Sequence, residues 1–197
     1  PGAGIYRNVH LVVTEDAYVP VWGTQLTTPT VTKEWAKVEL RTKLTTPEGA
    51  DRSIYRIVTD IVNPAGEVVA TNEATLSRYD NTLFEQEFDI AVPELWSVDN
   101  PALYYAKSKI YAGAELKDEY STRFGIRTLE IIPDEGMFIN GEPAKFKGVC
   151  NHHDLGPLGA AVNDAAIRRQ IRMMKDMGCN AIRTSHNMPA PELVEAC

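Results

Sequence analysis

Asn180-Ala181-Ile182-Arg183-Thr184-Ser185-His186 is a short apolar run that ends on an arginine and a histidine. Its length suits a buried strand. A guanidinium and an imidazole at the mouth of such a strand are costly to bury unless polar groups face them. A second short run upstream closes on Gly148-Val149-Cys150-Asn151-His152-His153-Asp154. Between the two, Ile167, Ile171, Met174 and Gly178 follow a helical spacing and give one apolar face. Asn163 can cap this helix, Asp164 fits its first turn, and Gly178 stands just past its end at Met177. Arg168, Arg169, Arg172 and Lys175 then form a solvated face, and the methionines are core filler. Another helix is expected after Pro189 and Pro191. Strand, helix, strand and partial helix make a right-handed parallel unit. Two strand ends carrying polar side chains predict the opening of a (β/α) barrel, whose active site gathers at that end of its strands. Alternation along the second strand points Ala181, Arg183 and Ser185 inward, and Ile182 and Thr184 toward the helices.

The preceding two thirds carry a different period. Val38 to Leu44 alternates apolar and polar, and from Ser53 to Val62 two interleaved sets change places. Further strands fit Glu67 to Ala70, Leu83 to Ile90, Tyr104 to Tyr111 and Tyr120 to Ile126. Turns separate them at Thr46-Pro47-Glu48-Gly49, Asn63-Pro64-Ala65-Gly66, Tyr79-Asp80-Asn81 and Ala112-Gly113-Ala114. About seven short strands without a helical period predict an immunoglobulin-like sandwich of ~100 residues. Trp35, Trp96 and Leu103 are expected as core or corner anchors, with sugar stacking the alternative role for a tryptophan. Gly4 to Val13 reads as one strand without a partner in the sandwich, the last strand of a domain lying upstream. Met137-Phe138-Ile139 and Ala144-Lys145-Phe146 flank Asn140-Gly141, which predicts a type I′ hairpin closing the barrel's floor. The predicted fold class is therefore mainly β: an immunoglobulin-like β-sandwich followed by the first β/α units of a (β/α)8 barrel. The change of pattern falls from Thr128 onwards.

Composition narrows the partners. The formal charge of −7 over 197 residues argues against a nucleic-acid surface, where clustered Lys and Arg would be expected. No apolar stretch approaches the ~20 residues needed to span a bilayer. Cys150 and Cys179 are expected at opposite ends of neighbouring strands, roughly 15 Å apart at ~3.3 Å per residue, too far for a disulfide. With Cys197 they are expected as free, mostly buried thiols. The compartment stays open: a bacterial periplasmic, extracellular or cytoplasmic setting all fit.

Several spaced motifs occur in one order: Gly4-Ile5-Tyr6-Arg7, Leu95-Trp96-Ser97, Asn100-Pro101-Ala102-Leu103-Tyr104, Phe124-Gly125-Ile126-Arg127, Phe138-Ile139-Asn140-Gly141, Lys147-Gly148-Val149 and Arg183-Thr184-Ser185-His186. In this order the chain resembles glycoside hydrolase family two, which includes β-galactosidases and β-glucuronidases. The resemblance implies a jelly-roll sugar-binding domain ending near residue 17, an immunoglobulin-like domain to about 129, and the start of a TIM-barrel catalytic domain. It implies that His152 and His186 line the sugar subsite and that Arg183 hydrogen-bonds the catalytic nucleophile. Asp154 is a candidate for a substrate hydroxyl, with loop capping as its alternative role. A guanidinium in that place would hold a carboxylate ionised, and imidazoles there can donate to hydroxyls as the ring flattens.

The resemblance also implies a retaining mechanism on a β-linked oligosaccharide, with β-galactosidase ahead of β-glucuronidase. Both glutamates of that mechanism would come from barrel strands after Cys197, so the chain by itself is expected to be inactive. No cofactor is implied; a divalent cation in the full-length enzyme, and a homo-oligomer, are compatible with it. This sequence departs from the family at Cys150-Asn151, His153 and Asn187-Met188-Pro189, which leaves the sugar and linkage open. Two rival functions remain. A metal-dependent barrel hydrolase would use His152, His153, Asp154 and His186, although adjacent histidines on a strand point to opposite faces. A non-catalytic sandwich module would bind sugar weakly through Trp22 or Trp96. Strands beyond about residue 130 expose edges, so pairing with another copy, a non-barrel arrangement or poor order is expected there.

Overall fold

The computed structural model describes residues 4–76 and 82–197, so the turn expected at Tyr79-Asp80-Asn81 lies outside the described residues. The chain divides into two compact units: Val13–Pro143, and residues up to Val12 together with Ala144–Cys197.

In the first unit, β1 (Thr24–Val31), β2 (Trp35–Lys43), β3 (Tyr55–Val62), β4 (Val68–Thr75), β5 (Leu83–Ala91), β6 (Tyr104–Ala112) and β7 (Glu115–Phe124) follow one another. They form two antiparallel sheets, ordered β1-β2-β5 and β4-β3-β6-β7. This is the expected immunoglobulin-like sandwich. Alternation puts Ala36, Val38 and Leu40 of β2 inward against Phe88 and Ile90 of β5, with Ile61, Tyr104, Ala106 and Phe124 opposite. A second cluster gathers Leu44, Tyr55, Ile57, Phe84 and Ile110.

Between these clusters runs a polar layer. Thr42, Thr59, Gln86 and Ser108 occupy the inward positions separating the two apolar sets, and each is at most 3% exposed. Thr59 Oγ1 donates to Gln86 Oε1 at 2.8 Å and lies 2.8 Å from Ser108 Oγ. Gln86 Nε2 donates to the Asn72 carbonyl at 2.9 Å. Thr42 Oγ1 has no hydrogen-bond partner among the described residues.

Strand β1 escaped the sequence pattern because Thr24–Val31 is mostly polar and contains Pro29. Its ladder shifts register between Thr27 and Thr30, beside the proline, as an edge strand tolerates. Trp35 is 41% exposed and so is not the expected core anchor, because β2 begins there on an outward position. Trp96 does serve as a corner: the Arg127 guanidinium lies 4.3 Å over its ring, and a Cβ on Gly125 would meet Trp96 Cβ at 3.0 Å.

A meander of β8 (Leu129–Ile132), β9 (Gly136–Ile139) and β10 (Glu142–Pro143) follows. Asn140 and Gly141 link β9 to β10 with φ of +53° and +78°, the two left-handed residues of the expected hairpin turn. The returning strand is Glu142–Pro143, earlier than the Ala144-Lys145-Phe146 expected from its apolar character. Asn140 Nδ2 donates to the Trp96 carbonyl at 2.9 Å, which fastens this turn to the sandwich unit.

In the second unit, β11 (Gly148–Asn151) runs parallel to β12 (Ala181–Thr184), with α1 (Asp164–Asp176) between them in sequence and α2 (Pro191–Ala196) after. Asn163 Oδ1 accepts from the Ala166 amide at 3.0 Å, the expected cap, and Gly178 is left-handed at φ +86°. Ile167 and Met174 are buried. Met173, Met177 and Met188 are exposed, so the methionines are not uniformly core filler; only Met174 falls on the inward stripe. Gly4 to Val13, expected as a strand, joins no ladder among the described residues: Tyr6 offers its carbonyl to the loop amide of Val162 instead. No described helix is long and apolar enough to cross a membrane.

Candidate functional site

The parallel register sets the two strand ends side by side: Cys150 opposite Arg183, and Asn151 opposite Thr184. Close approach at the base of this pair requires Gly148, where a Cβ would sit 2.5 Å from the Ala181 carbonyl oxygen. Asn151 Nδ2 reaches Met174 Sδ of α1 at 3.7 Å, so that side chain points to the helix. One residue earlier on each strand, Cys150 and Arg183 therefore occupy the opposite face, as alternation predicts. There Arg183 Nη1 contacts Cys150 Sγ at 3.8 Å, its only polar side-chain partner among the described residues. Cys150 and Cys197 are exposed rather than buried, and Cys179 is half-buried; all three are free, as expected. Cys150 is exposed because it shares the uncovered strand face with Arg183.

Beyond Thr184 the strand stops and alternation lapses. Ser185, expected inward beside Arg183, is 4% exposed, and its amide donates to the Asn151 carbonyl at 2.9 Å. The next residue, His186, turns out of the strand with φ +62°, in a bend closed by Asn187 donating to the Thr184 carbonyl at 3.3 Å. Histidine is among the few side chains found in this left-handed region with some frequency. The bend carries the His186 ring to 5.8 Å from the His152 ring, edge to face at 67°. The two expected sugar-facing imidazoles thus meet, one from each strand end, and both are exposed.

His153 points elsewhere. Its ring stacks on Tyr6 at 5.9 Å and 12°. Asp154 is exposed and, among the described residues, makes no side-chain hydrogen bond to either histidine, nor does its side chain cap the following turn at Gly156–Leu158. Among the described residues no three His, Cys, Asp or Glu side chains gather as metal ligands. In the other unit, Trp22 is 92% exposed while Trp96 is packed under Arg127, so of the two candidate sugar platforms only Trp22 offers a free face. The contacts of Tyr6 with the His153 ring and the Val162 amide were not foreseen from the sequence, since a contact made by a non-regular segment leaves no periodic signal.

The class that the fold and the site define is a β-sandwich of immunoglobulin type followed in sequence by the first parallel strands of a barrel, with polar side chains collected at the strand ends. The family described as "Glycosyl hydrolases family 2" matches residues 21–127, and its TIM barrel domain matches 131–197. The chain belongs to glycosyl hydrolases family 2. It is 40% identical over 200 residues to beta-galactosidase BoGH2A of Bacteroides ovatus, covering 100% of this chain and 23% of that protein. It is 33% identical to a putative beta-glucuronidase of Formosa agariphila, covering 98% of this chain and 18% of that one. Among solved structures, a family 2 member from Bacteroides cellulosilyticus superposes with a TM-score of 0.93 at 36% identity, covering 100% of this chain and 26% of that one. A beta-glycosidase from Bacteroides vulgatus gives 0.89 at 34%, over 100% and 24% of the two chains. The chain thus spans between about a fifth and a quarter of the length of these relatives.

Proposed function

We propose that this chain is part of a retaining β-glycosidase, a β-galactosidase first, and that it supplies one wall of the sugar subsite. The observation that carries this is the His152–His186 pair at adjacent ends of two parallel strands, with Arg183 on the open face one step below. Imidazole donors in that place bind sugar hydroxyls, and hydrogen bonds that shorten as the ring flattens lower the barrier. Arg183 holds the nucleophile's carboxylate ionised and oriented. The parent attacks the anomeric carbon with one glutamate while a second protonates the leaving oxygen; water then releases the sugar with the second glutamate as base. Those glutamates are assigned to later strands. Asp154 remains a candidate for a peripheral hydroxyl. Residues 1–17 are assigned as the end of an upstream jelly-roll, and a homo-oligomer of the parent fits the same reading. The relatives named beta-glucuronidase make glucuronide the second substrate class.

The test has two parts. The 197-residue chain alone is expected to leave nitrophenyl β-galactoside and β-glucuronide intact, and turnover that survives repurification overturns the placement of the catalytic acids. A longer protein carrying this sequence is expected to release the sugar with its anomeric configuration retained, seen by NMR of the first product. In it His186→Ala should lower kcat/KM by ~100-fold, within the range of a lost transition-state donor. Inversion, or no hydrolysis of either glycoside, overturns the proposal.

A further inference from the structure

We propose that residues 4–8 form a strap that positions the histidine pair, with Tyr6 and Arg7 as its positioning residues. Three consecutive side chains, with one backbone carbonyl, reach three different parts of the strand-end region. The Tyr6 ring stacks on His153 at 5.9 Å and 12°, at the start of the loop between β11 and α1. The Tyr6 carbonyl accepts from the Val162 amide at 2.9 Å, at the end of that same loop. Arg7 Nη2 donates to the Met188 carbonyl at 2.6 Å, in the loop between β12 and α2. Asn8 Nδ2 donates to Glu192 Oε1, on α2.

The loop between β11 and α1 needs such support. Its middle is closed on itself: Leu155 donates to Gly159 at 2.8 Å and Gly159 to Gly156 at 2.9 Å, with both glycines left-handed. The Ala161 amide extends this closure by donating to the Leu158 carbonyl at 3.2 Å, and the strap takes hold of the residues on either side, His153 and Val162. His152 adjoins His153 across one peptide bond, and its ring lies 5.8 Å from the His186 ring. Fixing the His153 ring against Tyr6 therefore fixes the direction of His152 toward His186. Arg7 acts on the other histidine: Met188 lies two residues after His186, so its anchored carbonyl limits the bend that holds His186 at positive φ. A segment that merely passed by would not engage both loops and the helix within three residues.

Functionally the strap rests on the sugar-site reading of His152 and His186, but its structural content does not. The test separates the two. In the 197-residue chain, the imidazole resonances of His152, His153 and His186 are assigned by NMR, with sandwich amides as an internal control of folding. Tyr6→Ala is expected to displace and broaden the His152 and His186 resonances as well as those of His153, with sandwich amides unmoved; Tyr6→Phe, which keeps the stacked ring, is expected to restore them. Unchanged His152 and His186 resonances in Tyr6→Ala overturn the strap. If Tyr6→Ala disturbs the sandwich amides, Arg7→Ala decides: movement at His186 supports the strap, and its absence overturns it.

Free D-galactose is then titrated. Shifts at His152 and His186 that weaken by about fivefold in Tyr6→Ala, and return in Tyr6→Phe, support the functional role, since an unstrapped ring must be ordered on binding. Galactose binding that is unaffected by Tyr6→Ala overturns that role. If the wild-type histidines ignore both galactose and glucuronate, the sugar-site reading fails, while the variants' effect on the free protein still judges the strap.

Discussion

Asn140 makes three contributions with one small residue. It takes φ +53° at the hairpin turn, accepts from the Thr128 amide through Oδ1 at 3.0 Å, and donates through Nδ2 to the Trp96 carbonyl at 2.9 Å. Asparagine tolerates the left-handed region better than residues lacking a short polar side chain. Asn140→Ala loses two hydrogen bonds and strains the backbone, which together come to about 2–4 kcal/mol. Asn140→Gly loses the bonds alone, so it should cost about 1 kcal/mol less. Urea unfolding of both variants checks this; equal losses would show that the turn conformation contributes nothing. Tyr104 is the other residue whose chemistry reaches the whole unit. It is 2% exposed, its hydroxyl accepts from the Glu94 amide at 2.8 Å, and burial raises its pKa above the ordinary phenol value. The unfolded chain therefore gives up this proton first, near pH ~10. Its stabilisation is complete below that pH and is lost as pH rises toward the higher folded value. Lys37 and Lys117, raised mainly by donating to Glu87 and Glu115, act in the same direction. Tyr104→Phe should accordingly lower stability by ~1 kcal/mol at neutral pH and flatten, without abolishing, the fall above pH ~10. A slope unchanged from wild type in urea titrations across that range would contradict the assignment.

The polar layer of the sandwich makes opposite predictions for two threonines on facing sheets. Thr59 ties Gln86 and Ser108 together inside the core, so Thr59→Val leaves two buried groups short of a partner at a cost of about 1–3 kcal/mol. The Thr42 hydroxyl is equally buried and has no partner among the described residues. Thr42→Val replaces it with a methyl of the same shape and should raise stability by ~1 kcal/mol. Paired denaturant midpoints measure both, and the same sign for the two would mean that hydrogen bonding does not organise this layer. The layer also explains what was legible in the sequence. Val38 to Leu44 announced its strand because apolar residues alternate there, with only Thr42 breaking the set. Between Ser53 and Val62 both faces carry apolar side chains, so alternation alone did not say which set faces in; the structure buries Tyr55, Ile57, Thr59 and Ile61. Strand β1 stayed hidden behind its threonines and Pro29. At the strand ends, a shared place for His152 and His186 was legible only through the family resemblance, and the left-handed bend at His186 was not, because period-two reasoning fails where a strand stops.

The two units differ most in how much apolar surface they enclose. Among the described residues, the buried apolar side chains of the barrel unit are Ile167, Met174 and Ala190, while all the others belong to Val13–Pro143. The parallel pair β11-β12 is two-stranded, with Cys150 and Arg183 exposed on its open face. Ile5, Val9 and Leu11 of the same unit are each more than three quarters exposed. Opening free energy follows local burial, so this unit should open well before the sandwich does. Native-state hydrogen exchange is the direct measure. Amides of β2, β3, β5 and β6 are expected to exchange with the global unfolding free energy, and those of β11 and β12 at least ~100-fold faster, a gap of about 2.7 kcal/mol. In a longer protein that completes the barrel, β11 and β12 gain neighbours on their open face and the gap should close. Equal protection of the two units in the 197-residue chain would mean that the strand-end site is already held in its working geometry without the rest of a barrel. The faster exchange expected here leaves the contacts of Tyr6 and Arg7 to hold the histidine pair, while the open faces of β11 and β12 go unsupported.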